Sequence, residues 1–93
     1  MSEIKNYTII IYTENKPGVL YRIADLFLRR KINIESLTVS EIEAKELSRF
    51  TIVVKADKDI VENIVKQLYR IIEVVKVLDK IDDKYLLDIE GHY

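Results

Sequence analysis

The spacing of apolar and polar residues along the chain predicts four strands and two helices. Each predicted strand is rich in β-branched and aromatic residues, and the second alternates apolar with polar positions. These strands are expected at residues 7–13, 32–42, 49–56 and 71–80. A polar stretch at residues 43–48 joins the second and third strands into a hairpin. The predicted order of elements is therefore β-α-β-β-α-β.

Two stretches between the strands repeat apolar residues at the spacing of one helical face. The inward face of the first predicted helix is formed by Leu20, Ile23, Ala24 and Phe27, widened by Leu26, while Arg22 and other charged residues face solvent. The inward face of the second is formed by Ile60, Val61, Ile64, Val65 and Leu68. Asn15 is predicted to cap the first helix, with Pro17 in its first turn. Asp57 or Asp59 is predicted to cap the second.

This order predicts an α+β, ferredoxin-like fold, in which a four-stranded antiparallel sheet carries two helices on one face. Two short helices are too few to cover every apolar residue of such a sheet, so some apolar area is expected to remain for a partner or for sheet extension. The candidates for this area are Ile10, Tyr12, Leu37, Val39 and several of Val53, Val54, Val74 and Val75. One domain is expected at residues 1–80, followed by a tail at 81–93.

Composition excludes several classes of protein. The chain of 93 residues has no Cys, which rules out disulfides, thiolate metal sites and a thiol nucleophile. A net charge of −1 lacks the basic excess of a nucleic-acid-binding protein, so no nucleic acid partner is expected. No apolar run is long enough to span a membrane and the first residues lack a signal peptide, so no membrane partner is expected and a cytoplasmic location is predicted.

No arrangement of residues typical of an active site is visible. His92 is the single histidine and stands next to the last residue, where a role as a base or ligand is not expected. The carboxylate pairs Asp82 with Asp83 and Glu41 with Glu43 are interpreted as solvent-exposed charges. Neither a Walker A motif nor a G-x-G-x-x-G motif occurs. The sequence therefore predicts a protein that is not an enzyme and that binds no metal or cofactor of its own.

The start of the first helix, "ENKPG", contains the only Pro and one of the two Gly residues of the chain. Two interpretations fit it. In the first, Pro17 and Gly18 serve only to begin the helix. In the second, the backbone N–H groups of Gly18 and Val19 hold an anion such as a carboxylate, because a helix N-terminus attracts negative charge and Gly18 has no side chain to block its approach.

The stretch from Glu14 to Val54 resembles the ACT domain of the small, regulatory subunit of acetolactate synthase (acetohydroxyacid synthase). The family's E-N-x-x-G-[AV]-L-x-R-[IV] pattern is matched by "ENKPGVLYRI". Two further motifs, "NIESLTV" and "LSRFTI", are much more specific to the family. The similarity extends through "VKQLYRIIEVVKVLD" and covers about residues 7–79.

The resemblance implies a regulatory subunit of branched-chain amino acid biosynthesis. Such a subunit has no active site; it associates with a catalytic subunit, which carries thiamine diphosphate and Mg²⁺, and it confers feedback inhibition by a branched-chain amino acid, usually valine. The family's ACT domains form homodimers in which two sheets lie side by side with the amino acid between them. The implied effector-binding residues are Asn15, Pro17, Gly18, Val19, Leu20, Asn33 and Ile34. Asn33 is expected to accept from the ligand's ammonium group.

Two departures from the family pattern define the alternatives. Members normally carry a second domain of comparable size, whereas "KYLLDIEGHY" resembles only its beginning or a short replacement. Many members have a small polar residue at the position of Pro17, which here removes one N–H donor. The alternative functions are therefore an ACT subunit that has lost its effector and a free-standing ACT-domain amino-acid sensor.

Overall fold

The computed structural model of the protein describes residues 4–42 and 46–81 and contains the six predicted elements in the predicted order. Their bounds are β1 (Lys5–Glu14), α1 (Val19–Arg29), β2 (Asn33–Ile42), β3 (Leu47–Ala56), α2 (Lys58–Leu68) and β4 (Val74–Ile81). Ile81 ends β4, although it was assigned to the tail. The predictions for Glu43, Asp82, Asp83, His92 and the rest of the tail fall outside the described residues.

All neighbouring strands pair antiparallel in one four-stranded sheet of order β2-β3-β1-β4. The strands β1 and β3 are central, and β2 and β4 form the two edges. Both α1 and α2 pack on the same face of this sheet, because their buried residues join the buried residues of β1 and β3 in one cluster. The predicted α+β, ferredoxin-like fold is confirmed.

The core lies between this sheet face and the helices. Along β1 every second residue, from Tyr7 through Ile9 and Ile11 to Thr13, is buried, and the residues between them are half-buried on the opposite face. The strand β3 alternates in the same way. The helices contribute Val19, Ile23, Leu26, Phe27, Val61, Ile64 and Leu68.

The first helix begins later than predicted, and this changes its inward face. Gly18 is the residue before α1, so Pro17 lies in the preceding turn and not in the helix. Val19 is buried, whereas Leu20 is 48% exposed. The apolar spacing allows either residue to lead the inward stripe, and the packing of Val19 with Ile23 and Phe27 decides between them.

The second helix confirms one of its two predicted caps. The Asp57 carboxylate accepts a hydrogen bond from the Ile60 N–H at 2.8 Å, while Asp59 lies in the first turn. The predicted inward face was too wide, because Ile60 is 41% exposed and Val65 is only half-buried. Val61, Ile64 and Leu68 form the buried stripe.

The fourth strand starts three residues later than predicted. Residues 71–73 form a turn after α2, in which the Ile71 N–H donates to the Leu68 carbonyl at 3.0 Å and the Val74 N–H donates to the Ile71 carbonyl at 3.0 Å. Ile72 is 89% exposed in this turn. The apolar run at 71–75 therefore spans a turn and the start of a strand, a difference that composition alone does not reveal.

Uncovered apolar area exists, as predicted, but much of it lies at the β2 edge. Leu37 and Val39 are opposite the buried Ile52 and Phe50, so they share the helix-side face, yet both remain exposed because the helices do not reach across the whole sheet. On the opposite face Ile10, Tyr12 and Val53 are half-buried. Val54 was wrongly included among the candidates, since it is buried in the core.

Candidate functional site

The backbone at the start of α1 depends on Gly18. Its φ of 85° lies in the left-handed region that residues with a side chain rarely adopt. A Cβ atom at this position would lie 3.4 Å from Nη1 of Arg22. The residue therefore has a structural role, which supports the first of the two interpretations of "ENKPG" without excluding the second.

No side chain of the described residues caps the N-terminus of α1. Asn15, which was predicted to cap it, instead donates from Nδ2 to Oε2 of Glu41 at 3.1 Å. The Val19 N–H, predicted to be free, donates to the Lys16 carbonyl in a long bond of 3.3 Å. Among the described residues nothing accepts from the N–H groups of Gly18 and Leu20, so the helix end remains open to an acceptor.

A cavity of about 210 Å³ adjoins this open helix end. It is smaller than the roughly 300–1,000 Å³ of most small-molecule pockets. Four of the seven predicted effector-binding residues line it: Asn15, Gly18, Val19 and Leu20. The other lining residues are Thr13, Glu14, Lys16, Val39, Ser48 and Phe50. The β1–α1 loop, α1, β2 and β3 thus converge on one small cavity.

Thr13 and Ser48 are polar residues in inward positions, and sequence reasoning missed both. They face each other in the β1–β3 pairing, and both are buried. The Thr13 hydroxyl has no hydrogen-bond partner among the described residues. The signal was present in the sequence, because each is a small hydroxyl residue at an inward position of an otherwise apolar strand face. Val39 and Phe50 supply apolar walls and were also missed.

The remaining predicted site residues lie away from this cavity. Asn33 pairs with Lys55 of β3, while Ser48 at the cavity stands seven residues earlier in β3, which corresponds to about 23 Å of strand. Asn33 donates from Nδ2 to Oε2 of Glu35 at 2.9 Å, and Ile34 packs against the core. Pro17 is exposed and does not line the cavity. One protomer alone does not bring Asn33 and Gly18 together.

Arg22 has a more specific role than the solvent-facing one predicted for it. Its guanidinium forms an ion pair with Glu73, whose side chain is only 13% exposed and whose Oε1 is buried without a partner among the described residues. The hydrogen bond from Arg22 lowers the pKa of the Glu73 carboxyl from its ordinary 4.5, although burial acts in the opposite direction. The Glu73 carbonyl also accepts from the Glu14 N–H at 2.9 Å. The turn at 71–73 is thereby held against the entrance of the cavity.

No group of three or more His, Asp or Glu side chains in the described residues is arranged to hold a metal ion. None of the helices in this part of the chain is long and apolar enough to cross a membrane.

Comparison with known proteins places this chain and its fold in a family. Residues 9–76 match the model of the AHAS small subunit-like ACT domain. A probable acetolactate synthase small subunit of Archaeoglobus fulgidus is 56% identical over 71 residues, which are 76% of this chain and 45% of that protein. The acetolactate synthase small subunit of Mycobacterium bovis is 48% identical over 79 residues, which are 85% of this chain and 47% of that protein.

A solved structure agrees with this result. The crystal structure of the acetolactate synthase small subunit from Thermotoga maritima superposes with a TM-score of 0.76 at 46% identity, covering 82% of this chain and 47% of that one. The fold is thus that of an ACT domain. The chain belongs to the family of AHAS small subunit-like ACT domains. It spans about half the length of the relatives that it matches.

The unpaired hydroxyl at the bottom of the cavity generates a stability prediction. We expect Thr13→Val to raise the free energy of unfolding by up to about 1 kcal/mol, because valine has the same shape and buries no unsatisfied polar group. Urea unfolding measures the change. Thr51→Val, at a half-buried position on the helix-free face, is the control and should be nearly neutral. A clear loss of stability in Thr13→Val would mean that the hydroxyl has a structural partner.

The ion pair between Arg22 and Glu73 predicts a pH-dependent stability. Because the pKa of Glu73 is lowered in the folded protein, the pair contributes stability fully above about pH 4.5, and this contribution is lost as the pH falls through the lowered pKa. The difference in unfolding free energy between the wild type and Glu73→Gln should therefore shrink from neutral pH towards pH 3. The exposed pair of Asp25 and Arg29 provides the control variant, Asp25→Asn, which should show a much weaker trend. A difference for Glu73→Gln that stays constant over this range contradicts the assignment.

Proposed function

We propose that this chain is the ACT domain of a regulatory small subunit of acetolactate synthase. We propose further that it binds a branched-chain amino acid at the start of α1, with valine as the leading candidate. The names of its relatives, which are small subunits of that enzyme, support the regulatory role. The observation that carries the binding proposal is the open N-terminus of α1 beside a small cavity with apolar walls. In this proposal the chain performs no chemistry itself and modulates a catalytic subunit.

The polar part of the amino acid fits the helix end. A carboxylate would accept from the free N–H groups of Gly18 and Leu20, which makes charge-assisted hydrogen bonds and adds roughly 0.3–1 kcal/mol from the helix dipole. Lys16 also lines the cavity, where its ammonium group pairs with the carboxylate of Glu14 at 3.4 Å. The aliphatic side chain of the ligand would lie against Val39 and Phe50. These apolar walls favour a branched aliphatic amino acid over a polar one.

The cavity of one protomer is smaller than most small-molecule pockets and opens to solvent. A second protomer would cover it. The edge strand β2 has exposed or half-buried residues throughout, among them Leu37 and Val39, which are apolar. Two copies that pair their β2 edges antiparallel about a two-fold axis would form a continuous sheet and cover these residues. Leu20, exposed beside the same edge, would be covered as well.

Such a dimer would also bring the distant predicted residues to the cavity. In an antiparallel β2 pair centred on Leu37, Asn33 of one protomer lies within about one residue of the position opposite Glu41 of the other, because both stand four residues from the centre and β2 shifts register by one residue between Ile34 and Ser36. Glu41 is hydrogen-bonded to Asn15 at the cavity. Ile34, which shares the helix-side face with Val54, would then line the ligand site from across the dimer axis, and Asn33 beside it at the start of β2 would lie near the ligand's ammonium group. The ligand would bridge two protomers and stabilise their association by mass action.

Thiamine diphosphate and Mg²⁺ would belong to the catalytic partner in this proposal. This chain's contribution would be to bind the effector and to transmit its presence through the dimer. Reconstitution of the catalytic subunit with this chain, assayed with and without valine, tests that role. We expect activity to change on adding the chain and to fall when valine is added.

An ACT subunit that binds the catalytic partner without an effector is the second candidate. Two features of the helix start favour it: Pro17 has no N–H, and the Val19 N–H is already directed to the Lys16 carbonyl. Activity that changes on adding the chain but does not respond to valine would support this candidate. Binding of valine without any effect on a catalytic subunit would instead indicate a free-standing amino-acid sensor.

Gly18 provides the most direct test of the ligand position. We expect Gly18→Asp to lower valine affinity at least about tenfold, because its carboxylate repels that of the ligand and occupies the helix end. Gly18→Asn has the same shape and tolerance for left-handed backbone but no charge, so it should lose less affinity. Calorimetric titration with valine, leucine and isoleucine measures both. Equal affinity in the Asp variant and the wild type would mean that the ligand lies elsewhere.

Asn33 tests whether the site is shared between protomers. We expect Asn33→Ala to weaken valine binding about tenfold with little change in melting temperature, because the side chain is exposed and its one bond among the described residues is to the neighbouring Glu35. Mixing Asn33→Ala with Gly18→Asp protein should restore one intact site per mixed dimer. If the mixture binds valine no more tightly than the Asn33→Ala protein alone, the two residues do not meet across a dimer.

A further inference from the structure

The two edges of the sheet differ in whether their backbone groups are available. An edge strand presents unpaired N–H and C=O groups to which another strand can add. On β4, the Tyr69 hydroxyl accepts from the Val77 N–H at 2.9 Å and donates to the Val77 carbonyl at 3.3 Å. On β2, no side chain of the described residues bonds to the backbone.

Val77 stands at the position where an added strand would have to pair. It lies near the middle of β4, opposite Ile11 of β1, and its side chain is buried in the core. Since its N–H and C=O both bond to Tyr69, they point away from β1 towards the outer edge. A strand approaching β4 would need these two groups, and the Tyr69 ring stands in its path.

Tyr69 is held in this position by the end of α2. It is the residue that follows the helix, and its N–H donates to the Val65 carbonyl at 3.2 Å, so the ring projects from a fixed backbone. Its side chain remains half exposed. The paired hydrogen bonds to Val77 need a hydroxyl at the end of the ring, which tyrosine supplies and phenylalanine does not.

We propose that Tyr69 closes the β4 edge against a second copy of this chain, so that the sheet is extended only through β2 and assembly stops at two copies. Without this closure, each protomer would offer two pairing edges, and edge-to-edge association could continue from dimer to dimer. The closure of the β4 edge by Tyr69 does not depend on the β2-paired dimer of the proposed function. The limit of two copies does rest on that dimer.

The first test measures whether the hydroxyl protects Val77. In Tyr69→Phe, the Val77 amide should exchange with solvent deuterium about tenfold faster than in the wild type, because one hydrogen bond is lost while the ring remains. Tyr21→Phe is the matched control, since Tyr21 is 82% exposed on α1 and has no hydrogen bond among the described residues. Unchanged Val77 exchange in Tyr69→Phe overturns the proposal.

The second test measures assembly size by sedimentation over a range of concentrations. Tyr69→Phe, and more strongly Tyr69→Ala, should form species larger than the wild type as concentration rises, whereas Tyr21→Ala should not. Adding Val75→Lys, which sets a charge on the exposed β4 edge, should return Tyr69→Ala to the wild-type size. Wild-type sizes in both Tyr69 variants, or larger species that Val75→Lys does not reverse, overturn the proposal. A monomeric wild type would count against the proposed dimer. The role of Tyr69 would still be tested, because each Tyr69 variant should form larger species than the wild type.

Discussion

The pairing of β1 with β3 on one side and β4 on the other holds this domain together. Tyr7, Ile9 and Ile11 of β1 lie under the two helices, and fully burying an aliphatic side chain of this size contributes roughly 1.5–3 kcal/mol. The same register sets Thr13 opposite Ser48 at the end of the strand. The strand that forms the core therefore also supplies the polar end of the cavity, and the chain leaves it directly into the loop before Gly18.

The proposed ligand site and the proposed dimer edge meet where the two helices stop covering the sheet. Gly18 leaves the start of α1 without a cap, and β2 beside it has no strand on its outer side within the described residues. Each of these features leaves backbone groups without partners. The carboxylate of a ligand would accept from the free N–H groups at the start of α1, and the β2 strand of another protomer would pair with the outer side of β2. Effector binding and dimer formation are therefore expected to support each other. Tyr69 at the opposite edge removes the competing surface.

Much of the fold could be predicted because the local patterns and the packing agree. The β-branched runs of β1 and β3 and the apolar spacing of α2 identify these elements, although the buried stripe of α2, which is Val61, Ile64 and Leu68, is narrower than predicted. The prediction failed where one apolar spacing fits two possible inward faces of a helix, as with Leu20 and Val19 in α1. It also failed where an apolar run contains a turn, as at Ile72. The site was only partly predictable. The motif located the helix start, whereas Thr13 and the Arg22–Glu73 pair depend on strand register and on a turn from a distant part of the chain.

The most direct test is to follow every backbone amide by NMR while valine is added to the isotopically labelled chain. The central claim is that one valine lies between the start of α1 and the start of β2 of a second protomer. It predicts that the amides of Gly18 and Leu20 shift together with that of Asn33, with a single affinity. Shifts at Gly18 and Leu20 without Asn33 would contradict a shared site, and the absence of shifts at all three would contradict effector binding at this position.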